Sequence, residues 1–302
     1  MIRREEEAAA AATRGLEWGG RGATIIVPLD GSIEAKASLP VARLVSEITG
    51  AALRVVYVAE GERTQQQMLR ELKLGRREET LGLMIDRVEG PPAEAIVRTA
   101  RERQAMLIVM TTRGASDYQG RALRPVPEQV INAATCPMLL VRPENAPRLS
   151  QMKALRRILL PLDGAPSTMC VVGPAVSLAD KSRAELDVLY VAQLNTQAAQ
   201  EPGTLTTPRY IDQPQYEWPA WVQECVERFC AFIGECPPAA PTRVFVRYGE
   251  PSAEILQFAS EHESDLIVLE WRGHLDPVHS GTTRDVLTRA QCPVLLLRTE
   301  GC

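Results

Sequence analysis

The stretch Val27-Pro28-Leu29-Asp30-Gly31-Ser32 ends an apolar, β-branched run with an aspartate and a glycine. It returns as Leu160-Pro161-Leu162-Asp163-Gly164-Ala165, at an offset of 133 positions. Four further blocks repeat in the same order: 56–59 with 189–192, 90–96 with 249–255, 107–109 with 266–268, and 136–137 with 292–293. Because blocks repeated in a fixed order mark repeated structural units, the sequence predicts two copies of one domain in tandem.

Each copy alternates strand and helix patterns. Continuous apolar runs at 24–29, 53–58, 106–110 and 138–141 are typical of strands covered on both faces. Ala37, Val41, Leu44, Val45 and Ile48 then recur at helical spacing and stop at Gly50, a suitable C-terminal cap. Pro92 suits the first turn of another helix. Alternation with right-handed crossovers predicts an α/β fold, with a doubly wound parallel sheet in each half.

The changing offsets between the copies indicate the domain boundaries. Residues 1–22 have no counterpart and are expected to form a mobile leader. Domain 1 is placed at 23–145 and domain 2 at 154–300, with a linker near 143–153 where Pro143, Asn145, Pro147 and Ser150 cluster. Domain 2 carries an insertion at about 195–241. Two interpretations of this insertion are left open. It could form a lid over a site, or a surface loop packed on its own domain, which is the commoner outcome.

Composition excludes several classes of function. The formal net charge is −4 and the pI about 5.6, which argues against nucleic-acid and anionic-membrane partners. No apolar run approaches the roughly 20 residues of a membrane helix, and the charged start has no apolar core of a secretion signal. A cytoplasmic protein is expected. Its seven cysteines favour reduced thiols over a disulfide framework.

Motifs of the common enzyme classes are missing from the sequence. It contains no Gly-x4-Gly-Lys-Ser/Thr loop, no Gly-x-Gly-x-x-Gly after a strand, and no Gly-x-Ser-x-Gly elbow. The three histidines, His262, His274 and His279, all lie in the second half and leave a hydrolase triad without support. Two histidines and one acid at 274–279 are more typical of a solvent-facing loop than of a metal site. No catalytic residue is predicted.

Both halves resemble the universal stress protein family, from about Ala23 to Arg298. The resemblance rests on the Val-Pro-Leu-Asp-Gly strand end, the Gly-Pro-Pro-Ala-Glu-Ala-Ile helix start at 90–96, and the Cys-Pro-Met-Leu-Leu-Val-Arg strand at 136–142. It implies five-stranded, Rossmann-like domains of the adenine nucleotide alpha hydrolase-like kind that pair through their last strands. Those strands, 137–142 and 293–298, would make an internal pseudo-dimer, since an unpaired apolar edge strand favours aggregation. A homodimer of whole chains is also left open.

The resemblance further implies an adenine-nucleotide site in each half. The first-strand aspartate and a backbone group of the second strand would hold adenosine, and a loop patterned Gly-x2-Gly-x9-Gly-Ser/Thr would hold the phosphates. The adenosine positions are Asp30 and Val58 in the first half, and Asp163 and Val191 in the second. The phosphate-loop positions read Thr111, Gly114, Arg124 and Pro125 in the first half, and Glu270, Gly273, Ser280 and Gly281, followed by Thr282, in the second.

Neither phosphate loop keeps the full pattern. Thr111 and Arg124 place side chains where backbone should approach phosphate, and Pro125 has no N–H to donate. Arg113, Arg121 and Arg124 could supply compensating charge, because arginine grips phosphate with its own fork. In the second half Glu270 brings a negative charge, while 280–283 could offer donors at a helix start.

Three hypotheses follow for function. The leading one is a non-catalytic stress-response module that binds ATP or another adenine nucleotide weakly in at least one half. The second half is favoured, because 280–283 keeps donors where Pro125 has none; no metal is expected apart from Mg²⁺ carried by the nucleotide. The second hypothesis is a scaffold that binds no nucleotide and acts through protein contacts, with Asp30 and Asp163 only closing local turns. The third is a slow ATPase without an identifiable general base.

Overall fold

The structure is a computed structural model that describes residues 18–20, 22–75, 83–113, 125–162, 170–192, 241–273, 275 and 281–298. The first half has strands β1 (Thr24–Pro28), β2 (Ala52–Val58), β3 (Met84–Val88), β4 (Leu107–Thr111) and β5 (Met138–Val141). Its helices are α1 (Ile33–Lys36), α2 (Leu39–Thr49), α3 (Gln65–Glu71), α4 (Pro92–Glu102) and α5 (Pro125–Ala133). A 3-10 turn (Pro143–Asn145) and helix α6 (Ala146–Gln151) lead into the second half.

The described part of the second half repeats this order. Its strands are β6 (Arg157–Leu162), β7 (Glu185–Ala192), β8 (Thr242–Tyr248), β9 (Leu266–Trp271) and β10 (Val294–Arg298). Its helices are α7 (Val172–Ser182), α8 (Pro251–Glu261) and α9 (Gly281–Arg289). None of the helices described is long and apolar enough to cross a membrane.

The ten strands form one sheet in the order β3-β2-β1-β4-β5-β10-β9-β6-β7-β8. Neighbouring strands are parallel within each half, and β5 pairs with β10 in antiparallel fashion. This confirms the α/β fold with a parallel, doubly wound sheet in each half. In the first half the strand order reverses between β1 and β4, which is the position where open parallel sheets bind ligands.

The β5–β10 pairing has near two-fold symmetry. Leu295 faces Leu139, while Val294 faces Leu140 and Leu296 faces Met138. Since Cys136 and Cys292 match at an offset of 156, Leu139 and Leu295 are equivalent residues. The pseudo-two-fold axis therefore passes between them.

Two arginines at the ends of these strands repeat that symmetry. The Arg142 Nη1 donates to the Ala290 carbonyl at 3.3 Å, and the Arg298 Nη1 donates to the Ala134 carbonyl at 2.5 Å. Arg142 and Arg298 are equivalent residues at the offset of 156, and so are Ala134 and Ala290. Each half therefore donates from the equivalent arginine to the equivalent carbonyl of the other half. A charge-assisted hydrogen bond of this kind is stronger than a neutral one. The halves are thus joined by side chains as well as by strands.

Helices cover both faces of the sheet and explain the continuous apolar runs of its central strands. Residues of α2, α6 and α7 pack on one face, and residues of α4, α5, α8 and α9 pack on the other. All five residues of β4 are buried, as are the first four of β1. A strand covered on both faces has no polar side to alternate with.

The sequence predicted a mobile leader over residues 1–22, but Trp18 within that range is packed in the core. Trp18 is 1% exposed, and its indole Nε1 donates to the Pro174 carbonyl of α7 at 2.7 Å. Burying so large a side chain with its N–H satisfied is favourable. Comparison of the two copies could not reveal this contact, because the second half has no counterpart of Trp18. Residues 1–17 lie outside the described residues.

Four further expectations need correction or fall outside the structure. The single helix expected up to Gly50 is divided into α1 and α2, since Pro40 suits a new first turn and interrupts a continuing helix. The segment expected as a linker is folded, with Leu149 of α6 buried in the core. Cys170 is disulfide-bonded, whereas Cys136 and Cys292 are free thiols. The insertion at 195–241 lies mostly outside the described residues.

Candidate functional site

A cavity of about 260 Å³ opens at the carboxyl ends of β1 and β4 in the first half. It therefore lies where the strand order reverses, the expected ligand position in such a sheet. Its lining consists of Pro28, Leu29, Asp30, Ala35, Val56, Val58, Pro92, Ile96, Met110, Thr111, Arg113, Val126 and Pro127. Most of these side chains are apolar, with a few polar groups at the mouth, as is usual in small-molecule sites.

Asp30 closes the turn that follows β1. Its Oδ1 accepts from the Ser32 backbone N–H at 2.9 Å and from the Ser32 hydroxyl at 2.5 Å. Ser32 in turn caps α1 by accepting from the Ala35 N–H at 3.0 Å. The local role of this aspartate is thus present in the structure. Because a carboxylate has about four acceptor positions, the same exposed side chain can also accept from a ligand hydroxyl.

Gly31 lets α3 come close to this turn. Its φ is +81°, and a Cβ built on it would lie 2.6 Å from the carbonyl oxygen of Glu71. Both the left-handed backbone and the close approach require glycine here. The glycine of the Asp-Gly pair therefore fixes the loop beside Asp30.

Val58 ends β2 on the same cavity. The Leu29 N–H donates to the Val56 carbonyl at 3.0 Å, and the Ala59 N–H donates to the Val88 carbonyl at 3.0 Å. These bonds hold the strand ends on both sides of Val58. The structure therefore brings together Asp30 and Val58, the two first-half residues that the sequence assigned to adenosine.

Arg113 stands at the mouth of the cavity, after β4, and forms an ion pair. Its Nη1 lies 2.6 Å from Glu144 Oε1, and Arg142 Nε lies 3.6 Å from Glu144 Oε2. The Thr111 hydroxyl donates to the Arg113 carbonyl. Sequence reasoning missed Glu144, which lies in the expected linker and carried no motif of its own. Gly114 and Arg124, the remaining first-half phosphate-loop residues predicted, lie outside the described residues.

The second-half site is described only in part. Val191 lies near the end of β7, Gly273 has a φ of +90°, and Gly281 and Thr282 begin α9. Asp163 and Ser280 lie outside the described residues. The structure therefore does not show whether these predicted residues share one site.

Several contacts surround the end of β9 in the second half. Glu270 pairs with Arg272 at 3.3 Å. The indole of Trp271 is buried below the Arg298 guanidinium, which lies 5.5 Å from the ring centroid. The Leu275 N–H donates to Asn132 Oδ1 of α5 at 2.8 Å. Leu275, which follows β9, is thus hydrogen-bonded to the first half.

A larger cavity, of about 350 Å³, lies between α8 and the end of α9, away from the strand ends. In the first half Arg101 spans the equivalent position and donates to the Ala133 carbonyl at 3.2 Å. The matching residue is Ser260, which is too short to do so. We interpret this cavity as the space left by the shorter side chain.

Among the described residues, no group of three or more histidine, cysteine or acidic side chains could hold a metal ion. His262 stacks on the Phe258 ring with 3.9 Å between the ring centroids. It is therefore part of an aromatic contact at the end of α8. His274 and His279 lie outside the described residues.

The strand order, the tandem repeat and the cavity define a two-copy α/β protein with a candidate small-molecule site at a sheet switch point. The chain belongs to the universal stress protein family, whose profile matches residues 23–142 and 154–298. The two matched segments correspond to the two halves of the ten-stranded sheet.

Relatives and solved structures agree with this assignment. A universal stress protein of Thermus aquaticus is 34% identical over 134 residues, which cover 39% of this chain and 98% of that protein. A universal stress protein of Mycobacterium tuberculosis is 24% identical over 210 residues, covering 69% of this chain and 66% of that protein. The crystal structure of a universal stress protein from Archaeoglobus fulgidus is 16% identical, with a TM-score of 0.64 over 91% of this chain and 98% of that chain. At this identity, the last similarity shows the fold alone.

Proposed function

We propose that this universal stress protein is a non-catalytic stress-response module that binds an adenine nucleoside or nucleotide in the first-half cavity. The observation that carries the proposal is the meeting of Asp30 and Val58 on one largely apolar cavity where the strand order reverses. The sequence preference for the second half stays a prediction, since Asp163 and Ser280 lie outside the described residues.

The cavity suits the adenosine end of such a ligand. Val56, Ile96 and Met110 offer apolar contacts to a planar base, and the exposed Asp30 can accept from a ribose hydroxyl. Its volume of about 260 Å³ is below the roughly 300–1,000 Å³ of most small-molecule sites. We therefore expect weak binding, with the phosphates outside the cavity. A bound ATP would bring its own Mg²⁺, and the proposal includes no metal site of the protein.

Calorimetric titration with adenosine and ATP tests the proposal. Asp30→Ala should weaken binding about tenfold or more, which corresponds to losing a hydrogen bond to a charged group. Asp163→Ala is the matched control, since it changes the equivalent residue of the other half. If Asp163→Ala alone abolishes binding, the site lies in the second half and the first-half proposal fails.

Two results would replace the proposal with one of its alternatives. The absence of both heat and thermal shift at millimolar adenosine and ATP would favour a scaffold that acts through protein contacts. Release of phosphate from ATP by the wild-type protein would favour a slow ATPase if Asp30→Ala or Asp163→Ala abolished that release. The domain limits, the cytoplasmic location and a homodimer of whole chains remain predictions from the sequence.

A further inference from the structure

We infer that Glu144 neutralises Arg113 and so adapts the first-half site to the uncharged adenosine end of a ligand, leaving the phosphates almost without a contribution to affinity. This inference rests on the proposed function and deepens it by naming the class of ligand. It concerns a residue outside every motif that the sequence offered.

Of the arginines that the sequence offers for phosphate recognition in the first half, Arg113 is the one that the structure describes. Among the described residues that line the cavity it is the one cation, and Asp30 is the one anion. Its guanidinium lies 2.6 Å from the Glu144 carboxylate, with the two side chains 37% and 42% exposed. Because the Arg113 Nη1 is engaged by Glu144, it must give up that contact before the guanidinium edge that includes it can hold a phosphate bidentately.

The position of Glu144 is fixed by the contact between the halves. It belongs to the 3-10 turn at Pro143–Asn145, whose Asn145 Nδ2 donates to the Ala290 carbonyl of the second half at 3.1 Å. Arg142, which donates to that same carbonyl, lies on the other side of the Glu144 carboxylate. Glu144 is therefore held at the cavity mouth by a structured turn.

The described charges at the mouth give a polyanion no net attraction. Arg113 and Arg142 contribute one positive charge each, and Glu144 and Asp30 contribute one negative charge each. A triphosphate must compete with Glu144 for Arg113 and then remain beside the displaced carboxylate. Pro125, at the start of α5, offers no N–H in compensation. A nucleoside carries no charge and meets none of these costs.

Titration of the full chain with adenosine, AMP and ATP at low salt measures the effect. In the wild-type protein we expect the three dissociation constants to agree within about threefold, since exposed pairs alter binding by less than about 1 kcal/mol. Glu144→Gln should strengthen ATP binding about fivefold and leave adenosine binding unchanged. Arg113→Gln should have little effect alone and should remove the gain in the Glu144→Gln background.

Glu261→Gln is the matched control, because Glu261 pairs with Arg247 at the same 2.6 Å and with side chains 35% and 42% exposed, in the other half. It should leave all three affinities unchanged. The inference is overturned, with the proposed function intact, if wild-type ATP binds more than tenfold tighter than adenosine and Arg113→Gln loses that advantage. It is equally overturned if Glu144→Gln leaves ATP affinity unaltered. If neither adenosine nor ATP binds, the proposed function itself fails.

Discussion

At the scale of single residues, two glycines with left-handed φ values differ in how strictly their positions require glycine. Gly31 and Gly50 have φ values of +81° and +71°. Gly50 caps α2, and a Cβ there would meet nothing within 4 Å. At Gly31 the same atom would meet the Glu71 carbonyl. The first glycine is thus required by conformation and by space, the second by conformation alone.

Gly31→Ala and Gly50→Ala should therefore differ in cost. We expect Gly50→Ala to lower the free energy of unfolding by about 1 kcal/mol, the usual cost of a left-handed alanine. Gly31→Ala should cost at least about 2 kcal/mol, because the backbone around Glu71 must also move. Urea denaturation of the two variants measures the difference. Equal losses would show that the loop at Gly31 relaxes freely.

At the scale of elements, the strands follow the sequence prediction most closely. The four runs predicted in the first half end within one residue of β1, β2, β4 and β5. A strand buried on both faces must be apolar throughout, so its pattern does not depend on the partners it meets. The division between α1 and α2 and the fold of the linker depend on local caps and distant packing, which apolar spacing does not record.

The candidate site, too, could be predicted from the sequence only in part. Asp30 and Val58 could be predicted, because they follow repeated strand ends and strand ends of a parallel sheet meet at one edge. Glu144 could not, since its ion pair with Arg113 joins positions 31 residues apart without a motif. Trp18 could not either, because its partner Pro174 belongs to the other half.

The last strands of the two halves are each preceded by a thiol, which is half-buried at Cys136 and buried at Cys292. Burial raises the pKa of Cys136 to about 11 and that of Cys292 to about 12. An unfolded chain would ionise these thiols from about pH 8.5. Below that pH both states hold the protons and the thiols leave stability unchanged. Above it the unfolded state holds fewer protons, so the free energy of unfolding falls with rising pH.

We expect this loss between about pH 8.5 and pH 11, with a slope of up to about 1.4 kcal/mol per pH unit for each thiol. A Cys136→Ala, Cys292→Ala double variant should be less stable at pH 7 but should lose less between pH 8 and pH 11. Chemical denaturation across this range measures both slopes. Parallel curves for the two proteins would contradict the expectation, because other alkaline groups would then account for the whole loss.

At the scale of the whole molecule, one ion pair distinguishes the two halves. Glu128 of α5 and Arg284 of α9 are 3.1 Å apart across the half–half contact. They are also equivalent positions, at the offset of 156 that relates Cys136 to Cys292. If either half paired with a copy of itself in this geometry, glutamate would face glutamate or arginine would face arginine. The opposite charges therefore favour pairing of the two different halves.

Charge reversal tests this pairing. Glu128→Arg should lower the free energy of unfolding by about 0.5–1.5 kcal/mol, since it places two arginines in contact. Arg284→Glu should cost a similar amount, and the double reversal should recover at least half of the summed loss. Urea denaturation at low and high salt gives the coupling and its screening. Strictly additive losses would mean that the pair does not contribute to the contact.

The burial of Trp18 has a consequence for how the chain is made. The indole leaves the ribosome before the carbonyl that it binds, which lies 156 residues later in the chain. At about 5–20 residues per second, that delay is roughly 8–30 s. Through this interval the Trp18 indole lacks the carbonyl that accepts its N–H in the folded protein. The Trp18 contact can therefore form only after Pro174 of α7 has been synthesised.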